Sequence, residues 1–299
     1  MAVDSEELES VMSQRVLVTG ASGNVGTEVV SVFQTFHPKT TIRIATRNTD
    51  EIKSSDGQSE FVYLNFQNPD TFSSAVSGCS SVFLLRPPAI SNTKDTLNRF
   101  ITTARDSGIE RIVFLSVAGA ADNKIVPHHD VEQQLRSGPN DWTILRPGFF
   151  AQNLASAYRD DILQDDRLYL PAGNGKVAFV DLRDVGKVAA QILTSLSEHA
   201  GMTYTLTGPQ SYTFYEVADI LSKNLDRTIE YVPAWIPGYM YHLLRVKKLG
   251  VMQSIVQTVL HVGLRFGQAE EVDPTLEKLL DEKPKNIETY IQDHIRIWK

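Results

Sequence analysis

The sequence is poor in cysteine and in cationic charge. Cys79 is the only cysteine among 299 residues, which excludes an internal disulfide framework and an all-cysteine zinc site. Lysine and arginine number 29 against 36 aspartates and glutamates, so the net charge is −7. Because a nucleic-acid backbone binds through a basic field, we expect no nucleic-acid partner.

Long apolar runs are also missing. The longest uncharged stretch near the C-terminus, Val251 to Leu264, is too short to cross a bilayer and contains several polar residues. The first 14 residues are polar and acidic and lack the apolar core of a signal peptide, so we interpret 1–14 as a flexible extension. A cytoplasmic protein without a membrane partner is expected.

Short apolar runs alternate with helical stripes up to about residue 150, which predicts an α/β fold. Six strands are predicted: Arg15–Thr19, Thr41–Thr46, Phe61–Leu64, Val82–Leu85, Ile112–Leu115 and Trp142–Leu145. Strands that are apolar on both faces and alternate with helices are typical of a doubly wound parallel sheet. We predict that 15–150, with return segments at about 177–208, form this sheet domain. The remaining segments, 151–176 and 209–299, are predicted to form a smaller, mainly helical substrate lobe.

The second half of the chain is less regular. Val177–Val180 is interpreted as a strand, and Asp184 as the N-cap of a helix. Thr213–Glu216 has the spacing of a capping box. The apolar segment Met240–Leu264 predicts two helices that are interrupted near Gly250. We favour core helices here, with a lid or an oligomer face as the alternatives.

A glycine-rich turn joins the first predicted strand to the first helix. Gly20, Gly23 and Gly26 give the pattern GxxGxxG. One glycine allows the tight turn, one lets the backbone approach a pyrophosphate, and one lets the helix pack on the strand. A purely structural turn is the alternative. The residues that we assign to a dinucleotide phosphate site are Gly20, Ser22, Gly23, Asn24, Val25 and Gly26.

The end of the second strand is where the adenosine ribose of a dinucleotide lies. An NAD site places a carboxylate there, but this chain has Arg47 instead, and Asp50 and Glu51 lie further into the loop. A guanidinium suits a 2′-phosphate, so the sequence predicts NADP(H) rather than NADH. The alternative is a solvated surface arginine.

Residues at the ends of the next two strands are also predicted to line the cofactor groove, because ligands of such sheets lie across the carboxyl ends of the strands. Asn65 and Phe66 are expected to border the adenine, and Leu85 and Arg86 follow the fourth strand. Arg86 reaches either a phosphate or an anionic substrate group, or it is a structural cap.

Several motifs resemble the NmrA-like group of atypical short-chain dehydrogenases. They are Val18–Gly26, Thr143–Phe150 followed by Asn153, Phe179–Asp184 and Tyr204–Gly208. The resemblance implies an extended Rossmann domain, NADP(H) and a C-terminal lobe over the substrate. It also implies reduction of quinones, iminium ions or conjugated compounds, as in alkaloid biosynthesis, or non-catalytic sensing of the redox state.

The Tyr-x-x-x-Lys pair of standard short-chain dehydrogenases is absent from the helix predicted near Pro127–Gln134. His128 or His129 is a candidate acid, and Ser116 is a candidate hydrogen-bonding partner of the substrate or the carboxamide. The alternative is a helix-start histidine bonded to Glu132. The pair of His128 and Glu132 has no third ligand nearby, so no metal is expected.

Phe149, Phe150 and Asn153 follow the sixth predicted strand, where aromatic rings can stack on a flat substrate. In the alternative interpretation, one of the two phenylalanines seals the core. The sequence therefore predicts an NADPH-dependent reductase of a small conjugated molecule, an imine or iminium first and a quinone next, with or without a coupled cyclisation. The alternative is a non-catalytic NADP(H) sensor that binds a protein partner. A monomer or a homodimer is expected.

Overall fold

A computed structural model describes residues 14–53, 57–139, 141–195 and 198–299. The predicted extension, apart from its last residue, lies outside these ranges. The chain divides into two compact units. The first runs up to Pro147 and resumes at Val185–Thr205, and the second comprises Gly148–Asp184 and Leu206–Lys299.

The first unit is built on a seven-stranded sheet. Its strands are β1 (Arg15–Val18), β2 (Thr41–Thr46), β3 (Ser59–Tyr63), β4 (Ser81–Leu85), β5 (Arg111–Leu115), β6 (Trp142–Pro147) and β9 (Met202–Leu206). The strand order is β3-β2-β1-β4-β5-β6-β9, and the registered pairs from β3 to β6 are parallel. The order reverses between β1 and β4, which makes this the topological switch point of a doubly wound sheet. The predicted fold class is confirmed.

Helices cover this sheet because each of them carries an apolar stripe. They are α1 (Asn24–Phe36), α2 (Phe72–Val76), α3 (Arg99–Asp106), α4 (Pro127–Arg136) and α6 (Leu182–Thr194), the last from Val185 onward. In α1 the buried side chains include Val25, Val29, Val32 and Phe33, at the spacing that predicted the helix. A short π-helical segment, Lys94–Asn98, precedes α3.

The second unit contains two small sheets and a mainly helical remainder. Its strands are β7 (Arg167–Leu170), β8 (Lys176–Val177), β10 (Tyr212–Thr213) and β11 (Glu230–Pro233), paired as β7 with β11 and β8 with β10. Its helices are α5 (Arg159–Asp165), α7 (Phe214–Leu225), α8 (Ile236–Tyr241), α9 (Val251–Leu264), α10 (Thr275–Leu280) and α11 (Ile287–Asp293). Phe214 lies in the aromatic core of this unit. The predicted capping box between Thr213 and Glu216 is confirmed.

The segment between β8 and α6 differs from the prediction. The strand expected over Val177–Val180 is limited to Lys176–Val177, and beyond it Val180 only bridges to Phe150. Helix α6 begins at Leu182, so Asp184 lies in its first turn rather than at its N-cap. The Asp184 carboxylate accepts a hydrogen bond from the amide of Lys285, 2.6 Å away, which is a contact between distant segments that a local pattern does not encode.

The apolar segment near the C-terminus forms α8, a π-helical turn at His242–Val246 and, after Gly250, α9. The predicted interruption near Gly250 is confirmed. The core interpretation holds for one side of this segment only, because several of its large apolar side chains are exposed. Among the described residues, no helix combines the length and the apolar character that a membrane span requires.

Candidate functional site

The glycine turn after β1 has a backbone that only glycine tolerates at two positions. Gly20 has a φ of +68°, a left-handed conformation that a side chain disfavours. The amide of Gly23 donates to the carbonyl of Gly20 at 2.9 Å. A Cβ atom on Gly26 would lie 2.3 Å from the oxygen of Gly20, so α1 packs directly against the turn. Both constraints agree with the predicted roles of these glycines.

The turn lies at the switch point between β1 and β4. The Thr19 hydroxyl donates to the carbonyl of Phe83 at 3.0 Å and accepts from the amide of Leu85 at 2.8 Å, which joins the two strand ends. A Cβ atom on Gly20 would lie 3.1 Å from Cδ2 of Leu85, so the predicted residue Leu85 contacts the turn. Ligands of doubly wound sheets bind at this position.

The first turn of α1 leaves its backbone amides without a local anionic partner. It contains no acidic residue, and no side chain caps the helix at Gly23. Ser22, Gly23 and Asn24 are exposed, whereas Val25 and Gly26 are buried. Since the amides of a helix N-terminus and its dipole favour negative charge, this turn fits a pyrophosphate.

Arg47 follows β2 and is exposed. Within the described residues, no hydrogen bond or ion pair involves its guanidinium, so it is available to a phosphate. The expectation that Glu51 stands away from the strand end is wrong. The Glu51 carboxylate points back towards the end of β2. It accepts hydrogen bonds from the Thr46 hydroxyl at 2.7 Å and from the Asn48 side-chain amide at 3.2 Å. A cation and an anion therefore both lie near the end of β2.

Asn65 and Phe66, which lie just beyond β3, differ in exposure: Asn65 is partly exposed and Phe66 is buried. The Asn65 side chain accepts from the amide of Gln67 at 3.0 Å. Phe66 is 7% exposed, and its ring makes edge contacts with Phe72 and Phe100 in the core of the unit. The ring of Phe66 therefore packs in the core of the unit, and its contact with an adenine stays a prediction.

Arg86 and His128 contact each other. Nε of Arg86 donates to Nε2 of His128 at 3.3 Å, and Nη1 of Arg86 donates to the carbonyls of Pro87, Pro88 and Ile90. These contacts support the capping alternative for Arg86. Burial, and then the charge of Arg86, lower the pKa of His128 to about 4. His128 is therefore neutral at pH 7 and a poor proton donor, although its predicted catalytic role stays a prediction.

His129 is placed differently from its neighbour. Its Nδ1 lies 2.8 Å from the carbonyl of Ala120, which requires a proton on Nδ1. The side chain is partly exposed, and its Nε2 has no hydrogen-bond partner among the residues that the structure describes. Of the two histidines, His129 has the ring nitrogen that is free to contact a substrate.

A buried carboxylate joins β5, α4 and β6. Glu132, 1% exposed, accepts from the Ser116 hydroxyl at 2.5 Å and from Nε of Arg146 at 2.9 Å, and Nη2 of Arg146 donates to its second oxygen. Burial alone would raise the pKa of Glu132, but the hydrogen bonds from Arg146 and Ser116 lower it below its ordinary value. The carboxylate is therefore ionised, and the Ser116 proton is committed to it. The sequence interpretation missed Arg146.

The predicted substrate residues belong to the second unit. Phe149 makes edge contacts with Phe179 and Phe214, so its ring packs against the core, as the sealing alternative proposed. Phe150 is partly exposed, and its backbone bridges to Val180. Asn153 is also partly exposed, which leaves Phe150 and Asn153 as candidates for substrate contacts.

Sequence interpretation also missed a buried hydrogen-bonded triplet in the second unit. Nε2 of His261 lies 2.5 Å from the hydroxyl of Tyr158, and Nδ1 lies 2.8 Å from the hydroxyl of Tyr239. Burial lowers the pKa of His261 to about 3, so the ring is neutral and donates to one tyrosine while it accepts from the other. Tyr158 and Tyr239 also line a cavity of about 210 Å³ whose other lining residues include Asp161, Lys247 and Gln257.

Comparison with known proteins identifies the class. The NmrA-like family matches residues 12–291, so the chain belongs to this family and the predicted resemblance is confirmed. NAD(P)H azoreductase of Xenophilus azovorans is 31% identical over 73% of this chain and 76% of that protein. Agroclavine dehydrogenase of Claviceps fusiformis is 24% identical over 95% of this chain and 98% of that protein.

The fold is also similar to that of solved structures. A crystal structure of Citrobacter sp. triphenylmethane reductase complexed with NADP(H) matches with a TM-score of 0.82 at 22% identity. The match covers 93% of this chain and 99% of that one. At this level of identity the likeness concerns the fold.

Proposed function

We propose that this chain is an NADPH-dependent reductase of a small conjugated molecule, an imine or iminium first and a quinone next. The observation that carries the proposal is the glycine turn at the switch point. There Gly26 allows direct contact between α1 and the turn, and the first turn of α1 has no acidic residue and no side-chain cap among the described residues. The names of the azoreductase and agroclavine dehydrogenase relatives agree with reduction of conjugated nitrogen compounds.

The first unit supplies the groups that would hold NADP(H). The turn from Gly20 to Gly26 binds the pyrophosphate, and the exposed Arg47 pairs with the 2′-phosphate. The nearby Glu51 carboxylate weakens that preference, since it is the kind of group that accepts from a ribose 2′-hydroxyl. We therefore expect NADPH to bind more tightly than NADH, but not exclusively.

The cofactor supplies the hydride, and the protein provides position and a fixed electrostatic environment. His128 is neutral and accepts from Arg86, and Glu132 is ionised and paired with Arg146, so neither gives a proton readily at pH 7. An iminium ion fits such a site because hydride addition removes its charge and no strong acid is required. Ser116, whose proton goes to Glu132, serves as an acceptor for an amide N–H of the cofactor or substrate.

His129 is the remaining candidate for a proton donor where the acceptor is a quinone. Its Nδ1 is held by Ala120, which orients Nε2. His129→Ala should reduce kcat with quinones and leave iminium reduction nearly unchanged. His128→Ala, the matched variant, should affect both substrates alike through its contact with Arg86. Equal loss for both substrates in His129→Ala would contradict the donor role.

The decisive experiment is NADPH oxidation by the purified chain against iminium ions, quinones, azo dyes and enones. Turnover with at least one class, fastest with iminium ions, is expected, and a cyclised product would extend the function to alkaloid-type biosynthesis. Saturable NADP⁺ binding without turnover, together with capture of a defined protein partner, would support the sensor alternative. Absence of binding to either nicotinamide dinucleotide would refute both.

A further inference from the structure

Helix α9 exposes an apolar surface that the proposed reduction does not use. We call this surface the outer stripe and define it as Val251, Met252, Ile255, Val256, Val259 and Leu260. Met252 is 71% exposed and Val259 is 65% exposed. Phe266, just beyond the helix, is 79% exposed and extends the same apolar surface along the chain.

The opposite side of α9 is buried and carries three hydrogen-bonded polar residues together with Leu264. The Ser254 hydroxyl donates to the carbonyl of Gly250 at 3.0 Å, and the Thr258 hydroxyl donates to the carbonyl of Ser254 at 2.8 Å. His261 contacts the two buried tyrosines. The Ser254 and Thr258 bonds stay within α9 and its N-cap, whereas the contacts of His261 reach Tyr158 and Tyr239 on other segments and fix which face of the helix is inward.

The outer stripe lacks the charges that other uses of an exposed helix require. No lysine, arginine, aspartate or glutamate occurs between Val251 and Leu264. An interfacial membrane helix carries cationic residues on its polar face to bind anionic lipid, and α9 has none. The absence of charge also means that two copies of the stripe can meet without electrostatic repulsion.

The chain on either side of α9 carries opposite charges. Arg245 and Lys248 are exposed before the helix, and Glu270 and Glu271 are exposed after it. Arg265 also follows the helix, but its guanidinium donates to the carbonyls of Pro171 and Ala234. In a two-fold pair the same patch meets itself, so antiparallel helices bring the basic end of one against the acidic end of the other, twice. We propose that the outer stripe is the contact between two copies of this chain, with α9 packed antiparallel on α9.

The size of the surface agrees with this partner. From their fractional exposures, the outer stripe and Phe266 present on the order of 700 Å² per copy, close to the roughly 800 Å² per partner of a standard interface. Apolar patches on monomers rarely exceed about 600 Å². The apolar surface is therefore as large as one side of a standard interface between two copies.

Sedimentation of the purified full chain over a wide concentration range tests the proposal. A reversible dimer is expected. Val259→Glu should weaken it by at least about 100-fold, because the new carboxylate is buried without a partner. Phe36→Glu is the matched control, since Phe36 is an apolar residue of the first unit that is 64% exposed; dimerisation of this variant should be unchanged. Dissociation by both variants alike would overturn the assignment of the surface.

The flanking charges test the antiparallel arrangement. Arg245→Glu and Glu271→Lys should each weaken the dimer several-fold by placing like charges together, and the double variant should restore it. Failure of the double variant to restore dimerisation overturns the arrangement. A chain that stays monomeric at all concentrations overturns the dimer. If that monomer binds vesicles of anionic phospholipid, the outer stripe is a membrane surface. If Val259→Glu raises the KM instead, the outer stripe contacts the substrate.

Discussion

Removing the charge of Glu132 should destabilise the protein strongly. The carboxylate is 1% exposed and accepts from Ser116 and twice from Arg146, whose side chain is 17% exposed. Glu132→Gln keeps the shape but leaves the guanidinium largely desolvated without its counter-charge. Breaking such a pair costs about 3–5 kcal/mol, and we expect about 3 kcal/mol because Arg146 keeps some solvent contact and the glutamine carbonyl still accepts.

Urea unfolding followed by circular dichroism measures this loss. The matched control is Asp165→Asn, which removes one partner of an exposed pair with Arg167 at 3.0 Å. Exposed pairs contribute less than about 1 kcal/mol, so the control should be nearly neutral. Combining Glu132→Gln with Arg146→Met should recover much of the stability, because it removes the unpaired charge as well.

The pH dependence gives a second readout with a definite sign. Because the pKa of Glu132 is lower in the folded state than its ordinary value, its charge stabilises the fold above that ordinary value. This contribution is lost as the pH falls towards the folded pKa, so the difference between the wild type and Glu132→Gln should shrink in acid. A Glu132→Gln variant as stable as Asp165→Asn at pH 7 would refute an ionised, paired carboxylate at this site.

Three further predictions concern the turn, the ribose position and the buried triplet. Gly26→Ala should abolish dinucleotide binding in a calorimetric titration, whereas Gly250→Ala, where a Cβ meets nothing within 4 Å, should bind normally. Arg47→Asp should weaken NADPH binding by about 10-fold or more and leave NADH binding unchanged or improved; equal affinities in the wild type and the variant would exclude Arg47 from the site. His261→Phe should flatten the acid instability of the chain. Since the folded His261 pKa of about 3 lies below the ordinary histidine value of 6.5, its neutral form stabilises the fold above pH 6.5, and that stability falls by about 1.4 kcal/mol per pH unit between pH 6.5 and 3. If the unfolding free energy from urea melts changes with pH in His261→Phe as steeply as in the wild type, the buried ring of His261 is not neutral.

The parts of the site that follow local rules could be predicted from the sequence. One strand–turn–helix unit requires glycine at two positions. Gly20 has a left-handed φ, and a Cβ atom on Gly26 would collide with a backbone carbonyl. These requirements act over a few residues, so the spacing of the glycines in the sequence predicts the turn directly. The capping box at Thr213 is predictable for the same reason.

The parts that depend on distant segments could not be predicted. The sequence pattern pairs Glu132 only with His128, whereas its partners are Ser116, directly after β5, and Arg146 on β6. Glu51 was placed away from the ribose position because a loop conformation decides where its carboxylate points. No periodicity specifies such contacts, since they arise when the sheet brings its strand ends together.

Helix α9 shows a different limit of pattern reading. An apolar stripe predicts that a helix has two faces, and the usual inference that the apolar face is inward rests on the energy of burying it. Here the inward face has only Leu264 as a large buried apolar side chain, and its polar residues Ser254, Thr258 and His261 are all hydrogen-bonded, so their burial carries little penalty. The outward apolar face, in contrast, gains free energy only when something covers it. We therefore infer that α9 is stabilised from both sides, by the tyrosines within its own unit and by a second apolar surface that covers the outer stripe.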